Sequence, residues 1–146
     1  MIYLLDSNVV SELRKAGDGR ADKNVTSWAE NLSAQSLYIS AIVLMELEIG
    51  VRGIERKDEA QGAMLRMWLD DHVKPFFSGR IIPVDEAVAI QCAELHVPDR
   101  KSERDALIAA TGLVHGMIVA TRNVKDFKNT GAKLLDPWAS RKGADQ

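Results

Sequence analysis

The chain carries a single cysteine, Cys92, so no intrachain disulfide can staple it; that scarcity fits a reducing compartment. Cys92 falls in an apolar helical pattern with Val88 and Leu95, the setting of a buried structural thiol rather than a reactive one. An excess of basic charge is also missing: 19 Lys and Arg stand against 21 Asp and Glu, a formal net charge of -2. Proteins that grip phosphates usually show a basic surface. Any nucleic-acid binding here therefore has to use local patches or metal ions. No apolar run approaches the roughly 20 residues that cross a bilayer. The N-terminus lacks the basic stretch, apolar core and small-residue cleavage site of a secretion signal. The expectation is a soluble cytoplasmic protein without membrane contact. There is no GxGxxG, no Walker A loop, no CxxC and no HExxH. The three histidines, His72, His96 and His115, are scattered without ligand spacing and read as surface or helix-end residues. No internal repeat or low-complexity segment is visible.

What is present starts at the N-terminus. Ile2, Tyr3, Leu4 and Leu5 run without a break, as in a strand buried on both faces of a parallel sheet. Asp6, Ser7 and Asn8 follow at once, and Val9, Val10 and Leu13 then fall at helical spacing. A carboxylate therefore stands at a strand-to-helix joint, where open α/β sheets bind ligands. Taken alone, helix capping is the simpler reading of Asp6 or Ser7.

Residues 14–24 are rich in charge and glycine and read as a loop. Val25, Trp28, Ala29 and Leu32 give a short helical stripe, and residues 36–40 a second strand. Val43, Leu44, Leu47, Val51 and Ile54 then mark an amphipathic helix with Ser40 as its N-cap. Glu46 lies at the edge of its buried stripe. Gly50, one turn on, costs about 1 kcal/mol of helix propensity and leaves space beside that carboxylate. Residues 55–62 read as a polar connection. Met64, Leu65, Trp68, Leu69 and Val73 predict another helix, ended by Pro75. Arg80–Val84 reads as a third strand, at an edge because of Pro83. Asp85 and Glu86 open a helix through Leu95; Asp85 is read as a cap and kept out of the site. A charged loop precedes a helix starting at Asp105, with Leu107, Ile108, Ala110, Thr111 and Val114 inward and Gly116 as its stop. Met117–Ala120 is a fourth strand and Lys133–Leu135 a short last one. The alternation indicates an α/β fold, a three-layer α/β/α sandwich around a central parallel sheet of four to five strands. Length favours one domain with its own core, residues 1–140, with 141–146 a frayed tail.

Four acids lie at strand ends or on the helices beside them: Asp6, Glu46, Asp105 and Asp126. A parallel sheet lets all four reach one edge, where they must share protons or hold cations. Oxygen-only ligands favour Mg²⁺ or Mn²⁺ over Zn²⁺. Such an ion also lets an acidic site approach a polyanion.

The segments LLDSNVVSEL, SAIVLMELEIGV, GRIIPVDE, RDALIAATGLVHG, VATRNVKDF and LLDPW together resemble a PIN-domain ribonuclease of the VapC toxin type, closest to its FitB-like branch. The resemblance spans nearly the whole chain. It implies a PIN-like nuclease domain over residues 1–140 and a toxin of a type II toxin–antitoxin system. The implied activity is divalent-metal-dependent hydrolysis of RNA phosphodiester bonds. Asp6, Glu46, Asp105 and Asp126 match the family's metal-binding acids, with Mg²⁺ as cofactor and Mn²⁺ as substitute. Ser7, Asn8 and Thr121 match supporting polar positions; the family usually has Thr where Ser7 stands, and Ser keeps the hydroxyl. The implied partners are RNA, a VapB-like antitoxin and a second copy of the chain. Arg100, Lys101, Arg104, Arg122 and Lys125 are candidate RNA contacts. Two other readings stay open: a structure-specific DNA nuclease using the same metal site, and a catalytically silent PIN-like module that binds RNA or protein. An antitoxin could lay an apolar segment beside Glu46 and Gly50 and set a cationic side chain among the acids. Met45, Ile49, Met64, Met67 and Trp68 exceed the evident needs of one core, and such helix faces commonly pair across a two-fold axis.

Overall fold

A computed structural model describes residues 1–139; the tail expected at 141–146 lies outside them. Five strands form one parallel sheet in the order β3-β2-β1-β4-β5: β1 Tyr3–Leu5, β2 Leu37–Ser40, β3 Ile81–Ile82, β4 Ile118–Ala120 and β5 Leu134–Leu135. The helices are α1 Ser7–Arg14, α2 Lys23–Glu30, α3 Ala41–Lys57, α4 Glu59–Trp68, α5 Lys74–Phe76, α6 Glu86–Leu95 and α7 Glu103–His115. The chain steps from β1 to β2 to β3 in one direction and returns past β1 to β4 and β5. Right-handed crossovers put the helices of the outward and return steps on opposite faces, giving the three layers. The order reverses between β1 and β4. Tyr3 pairs with Ile118, Leu4 with Val119 and Leu5 with Ala120, so the next residues, Asp6 and Thr121, emerge side by side.

The central strands are apolar because both faces are covered. Leu4, Leu5, Ile39 and Val119 are wholly buried, with Val9, Val43 and Ile108 packed on them from α1, α3 and α7. A smaller cluster of Val88, Cys92, Ala106 and Ala110 joins α6 to α7. Cys92 is thus a buried thiol, and burial raises its pKa. Ser40 caps α3 by accepting the Ile42 N–H at 2.8 Å, and Asp85 caps α6 by accepting from Val88. Gly116 ends α7 in the left-handed conformation.

Several local expectations are corrected by tertiary packing. Residues 55–62 are not a connection: α3 runs to Lys57 and α4 starts at Glu59, so Asp58 alone makes the turn. Its N–H donates to the Ile54 carbonyl and its side chain accepts from Gln61. Of the polar residues there, Glu55 joins the two helices through Arg66, and further ion pairs lie nearby. Arg66 pairs with Glu48 and Glu55, and Lys74 with Glu48 and Asp70. The helix does not end at Pro75. A wide π-turn over Leu69–Val73, in which the Lys74 N–H donates to the Leu69 carbonyl, carries the chain past it to Phe76. The third strand is only Ile81–Ile82, and it is an edge strand as Pro83 implied. Arg80 is instead a buried tether. Its guanidinium donates to the carbonyls of Ala34, Leu37 and Phe76 and lies over the rings of Phe76 and Phe77. The last long helix starts at Glu103, not Asp105, and its Val114 faces solvent. His96 follows α6, where its Nδ1 accepts the Lys101 N–H and its Nε2 is buried without a partner.

The α3–α4 turn yields a test. A Cβ at Gly62 would stand 2.5 Å from the Glu55 Cα, whereas one at Gly53 meets nothing within 4 Å. Gly62→Ala should lower stability by about 1–3 kcal/mol, because overpacking outweighs helix propensity. Gly53→Ala should raise it by up to about 1 kcal/mol. Denaturant unfolding of both variants checks the pair.

Candidate functional site

Asp6 stands where β1 stops and α1 begins, and it serves both. Its N–H continues the ladder to the Ala120 carbonyl at 2.9 Å. Its Oδ1 accepts the Ser7 N–H at 2.8 Å, which is a cap. Its Oδ2 accepts the Thr121 hydroxyl at 2.7 Å and the Asn8 side-chain amide at 3.4 Å. Capping and site membership are therefore not alternatives for this residue. Asn8 also donates to Thr121 Oγ1 at 3.4 Å and accepts the Arg122 N–H at 3.3 Å. Asp6 is only 5% exposed and Thr121 is fully buried. A buried carboxylate needs such donors.

Glu46 comes from the second turn of α3. Its Oε1 is buried and has no hydrogen-bond partner, while its Oε2 lies 3.8 Å from the Arg104 guanidinium. Gly50, one turn further, leaves open space beside it. Asp105 lies in the first turn of α7 and is partly buried. Asp126 lies on a 3-10 turn over Val124–Phe127 and is exposed.

The acids press on one another. Burial raises the Asp6 carboxyl above its ordinary value; its three donors oppose this and the charge of Asp126 adds to it. Burial raises Glu46, and Asp6 and Asp105 push it further, against the Ser7 hydroxyl and Arg104. Burial raises Asp105 as well, aided by Asp6 and then Asp126. All four acids from four separate elements thus belong to one electrostatic group.

The five candidate RNA contacts divide. Only Arg104 faces the acids. Arg100 lies 3.7 Å from Glu103 and is far out in solvent. The Lys101 ammonium donates to the Asp99 carbonyl. The Arg122 guanidinium lies over the Trp138 ring, 5.1 Å from its centre. Lys125 is exposed beside Asp126. Neither the Arg104–Glu46 approach nor the Arg122–Trp138 stack has a signal in the sequence, since each joins residues more than a dozen positions apart.

An acid-only donor set and the orphaned Glu46 Oε1 suit a hard divalent cation. Among the described residues, no three His, Cys, Asp or Glu side chains stand close enough to share one ion. The carboxylates would have to draw together around it.

The PIN-domain family pattern matches residues 3–133. A VapC ribonuclease of Sinorhizobium fredii, Y4jK, is 33% identical over 142 residues, covering 94% of this chain and 98% of that protein. The crystal structure of FitAcB from Neisseria gonorrhoeae superposes with a TM-score of 0.85 at 30% identity, covering 95% of this chain and all of that one. A toxin-antitoxin complex from Klebsiella pneumoniae gives a TM-score of 0.64 at 27% identity over 94% of this chain and 99% of that chain.

Burial, with mutual repulsion added to it, sets a pH dependence. Asp6, Glu46 and Asp105 are raised from ordinary values of 3.8, 4.5 and 3.8. The folded chain therefore binds more protons than the unfolded one from about pH 4 up through the raised values. Their stabilising contribution is full below that window and falls as pH rises through it. Glu46→Gln in EDTA should raise the melting temperature by about 2–4 °C at pH 8, and the gain should vanish near pH 4. A gain equal at both pH values would show that charge is not its source.

Proposed function

Because the chain belongs to the PIN-domain family, we propose that it is an endoribonuclease toxin of the VapC type, closest to the FitB-like branch, working in the cytoplasm. The observation that carries this reading is the Asp6 carboxylate. It is buried at the β1–β4 switch point, held by Ser7, Asn8 and Thr121, with Glu46, Asp105 and Asp126 bearing on the same group. The residues that would hold Mg²⁺, or Mn²⁺ in its place, are Asp6, Glu46 and Asp105, with Asp126 at the open rim. When bound, such an ion supplies Lewis-acid activation of water and of the scissile phosphate.

The chain's own groups do the rest. The Thr121 hydroxyl and the Asn8 amide fix the direction of one Asp6 oxygen, and the Ser7 N–H fixes the other. That orientation is what a ligand carboxylate needs from its neighbours. Asp126, exposed to solvent, is the acid that substrate meets first. Arg122, held to Asn8 through its N–H, and Lys125, next to Asp126 in the chain, would supply cationic contacts for an RNA backbone.

The partners follow from the same reading. The structurally similar Klebsiella pneumoniae protein is part of a toxin-antitoxin complex, and this chain would take a VapB-like antitoxin. Met45, Ile49, Met64 and Met67 form exposed apolar positions on α3 and α4, and a second copy of the chain would cover them in a homodimer.

The test is cleavage of single-stranded RNA and of DNA, with Mg²⁺ and with EDTA. RNA should be cut only with the metal, and DNA should remain intact. Asp6→Asn should abolish cleavage without unfolding the chain, and Thr121→Val should reduce it about 10–100-fold. A folded Asp6→Asn protein that cleaves at the wild-type rate would sink the assignment. Induction of the chain alone should arrest growth, and co-expression of the antitoxin should restore it.

A further inference from the structure

Among the candidate cationic residues, Arg104 has a position that phosphate contact does not explain. It precedes Asp105 in the first turn of α7, is half exposed, and brings Nη1 to 3.8 Å from Glu46 Oε2. That is too long for a hydrogen bond, and among the described residues this guanidinium makes no hydrogen bond and no other ion pair. The pairing is one of charge alone, with nothing that locks it. On the other side of the same carboxyl group, Oε1 is buried and unsatisfied. Glu46 is therefore an acid with one buried oxygen that has no hydrogen-bond partner and one oxygen loosely neutralised by the chain itself.

We propose that Arg104 is a built-in counter-ion that competes with the divalent cation for Glu46. This rests on the metal-dependent reading above and adds a residue that sets how readily the site loads. The reasoning is electrostatic. A cation entering among Asp6, Glu46 and Asp105 meets a site whose charge Arg104 has already reduced. Two cations beside one carboxylate repel each other, so the guanidinium must move away or weaken the binding of the ion. Arg104 is exposed and otherwise unheld, so it can leave at small cost. A half-exposed pair of this kind is worth about two- to five-fold in an equilibrium constant. The effect is a higher threshold concentration of divalent ion, not an absolute block. Arg100, which is turned toward Glu103, supplies the same charge nearby without the contact and serves as the control.

The experiment uses the full chain stripped of metal, with Mn²⁺ alone as probe and RNA absent, so that backbone contacts do not enter. Isothermal titration gives the Kd, and the rise of melting temperature with Mn²⁺ gives an independent value. Arg104→Ala should tighten Mn²⁺ binding about two- to five-fold, and Arg104→Lys should fall between it and wild type. Arg100→Ala should change the Kd by less than Arg104→Ala does. The difference should collapse in about 1 M KCl, where the screening length is near 3 Å. Measurable Mn²⁺ binding with the same or a weaker affinity in Arg104→Ala would overturn this proposal and leave the metal-dependent reading intact. Absence of Mn²⁺ binding in wild type and variants alike would overturn both.

Discussion

The hydrogen bond from the Thr121 hydroxyl to the Asp6 carboxylate is the interaction on which the rest of the site depends. It joins residues 115 positions apart, and it exists because β1 and β4 pair in one particular register. A shift of that register by one residue would put Ala120 or Arg122 beside Asp6 in place of Thr121 and take the hydroxyl donor away from the buried carboxylate. The cap on α1, the Asn8 contacts and the path of the chain into Arg122 all hang on the same joint. The strand-order reversal is therefore more than a place where a crevice opens. It is where a buried charge can be given donors from two strands at once.

Two glutamates on α3 show how far surroundings decide chemistry. Glu48 accepts from Lys74, Arg66 and Arg52, and the lysine above all pulls its carboxyl down to about 2. Glu46, two residues earlier, is raised by burial first and then by Asp6 and Asp105, with only the Ser7 hydroxyl and one distant guanidinium against them. The first braces α3 against α4 and the π-turn. The second is left under-neutralised. The brace matters to the site because it fixes α3 within one turn of Glu46, which the same helix carries to the β1–β4 edge. Natural proteins keep such unfavourable charge where function uses it and offset it elsewhere.

The local elements were legible in the sequence because their causes are local. The unbroken run Ile2–Leu5 specified a doubly covered strand. Ser40, Asp85 and Gly116 marked helix ends through capping chemistry, and Pro83 marked an edge. Asp6 could be placed at a strand-to-helix joint, and the four acids could be grouped once the sheet was taken as parallel. Resemblance to the PIN family tied them to one chemistry. What tertiary structure alone decided involves partners far away in the chain. The one-residue turn at Asp58 follows from Arg66 and Gly62 packing against Glu55. Passage through Pro75 follows from a wide turn that local propensity does not encode. Arg80 is buried just before β3 because three carbonyls from two other segments converge on its guanidinium. Arg104 turned to Glu46, and Arg122 to Trp138, because strand order set α7 and the last residues beside the acids. Periodicity and caps report neighbours within a turn or two; only the packed sheet determines which distant charges meet.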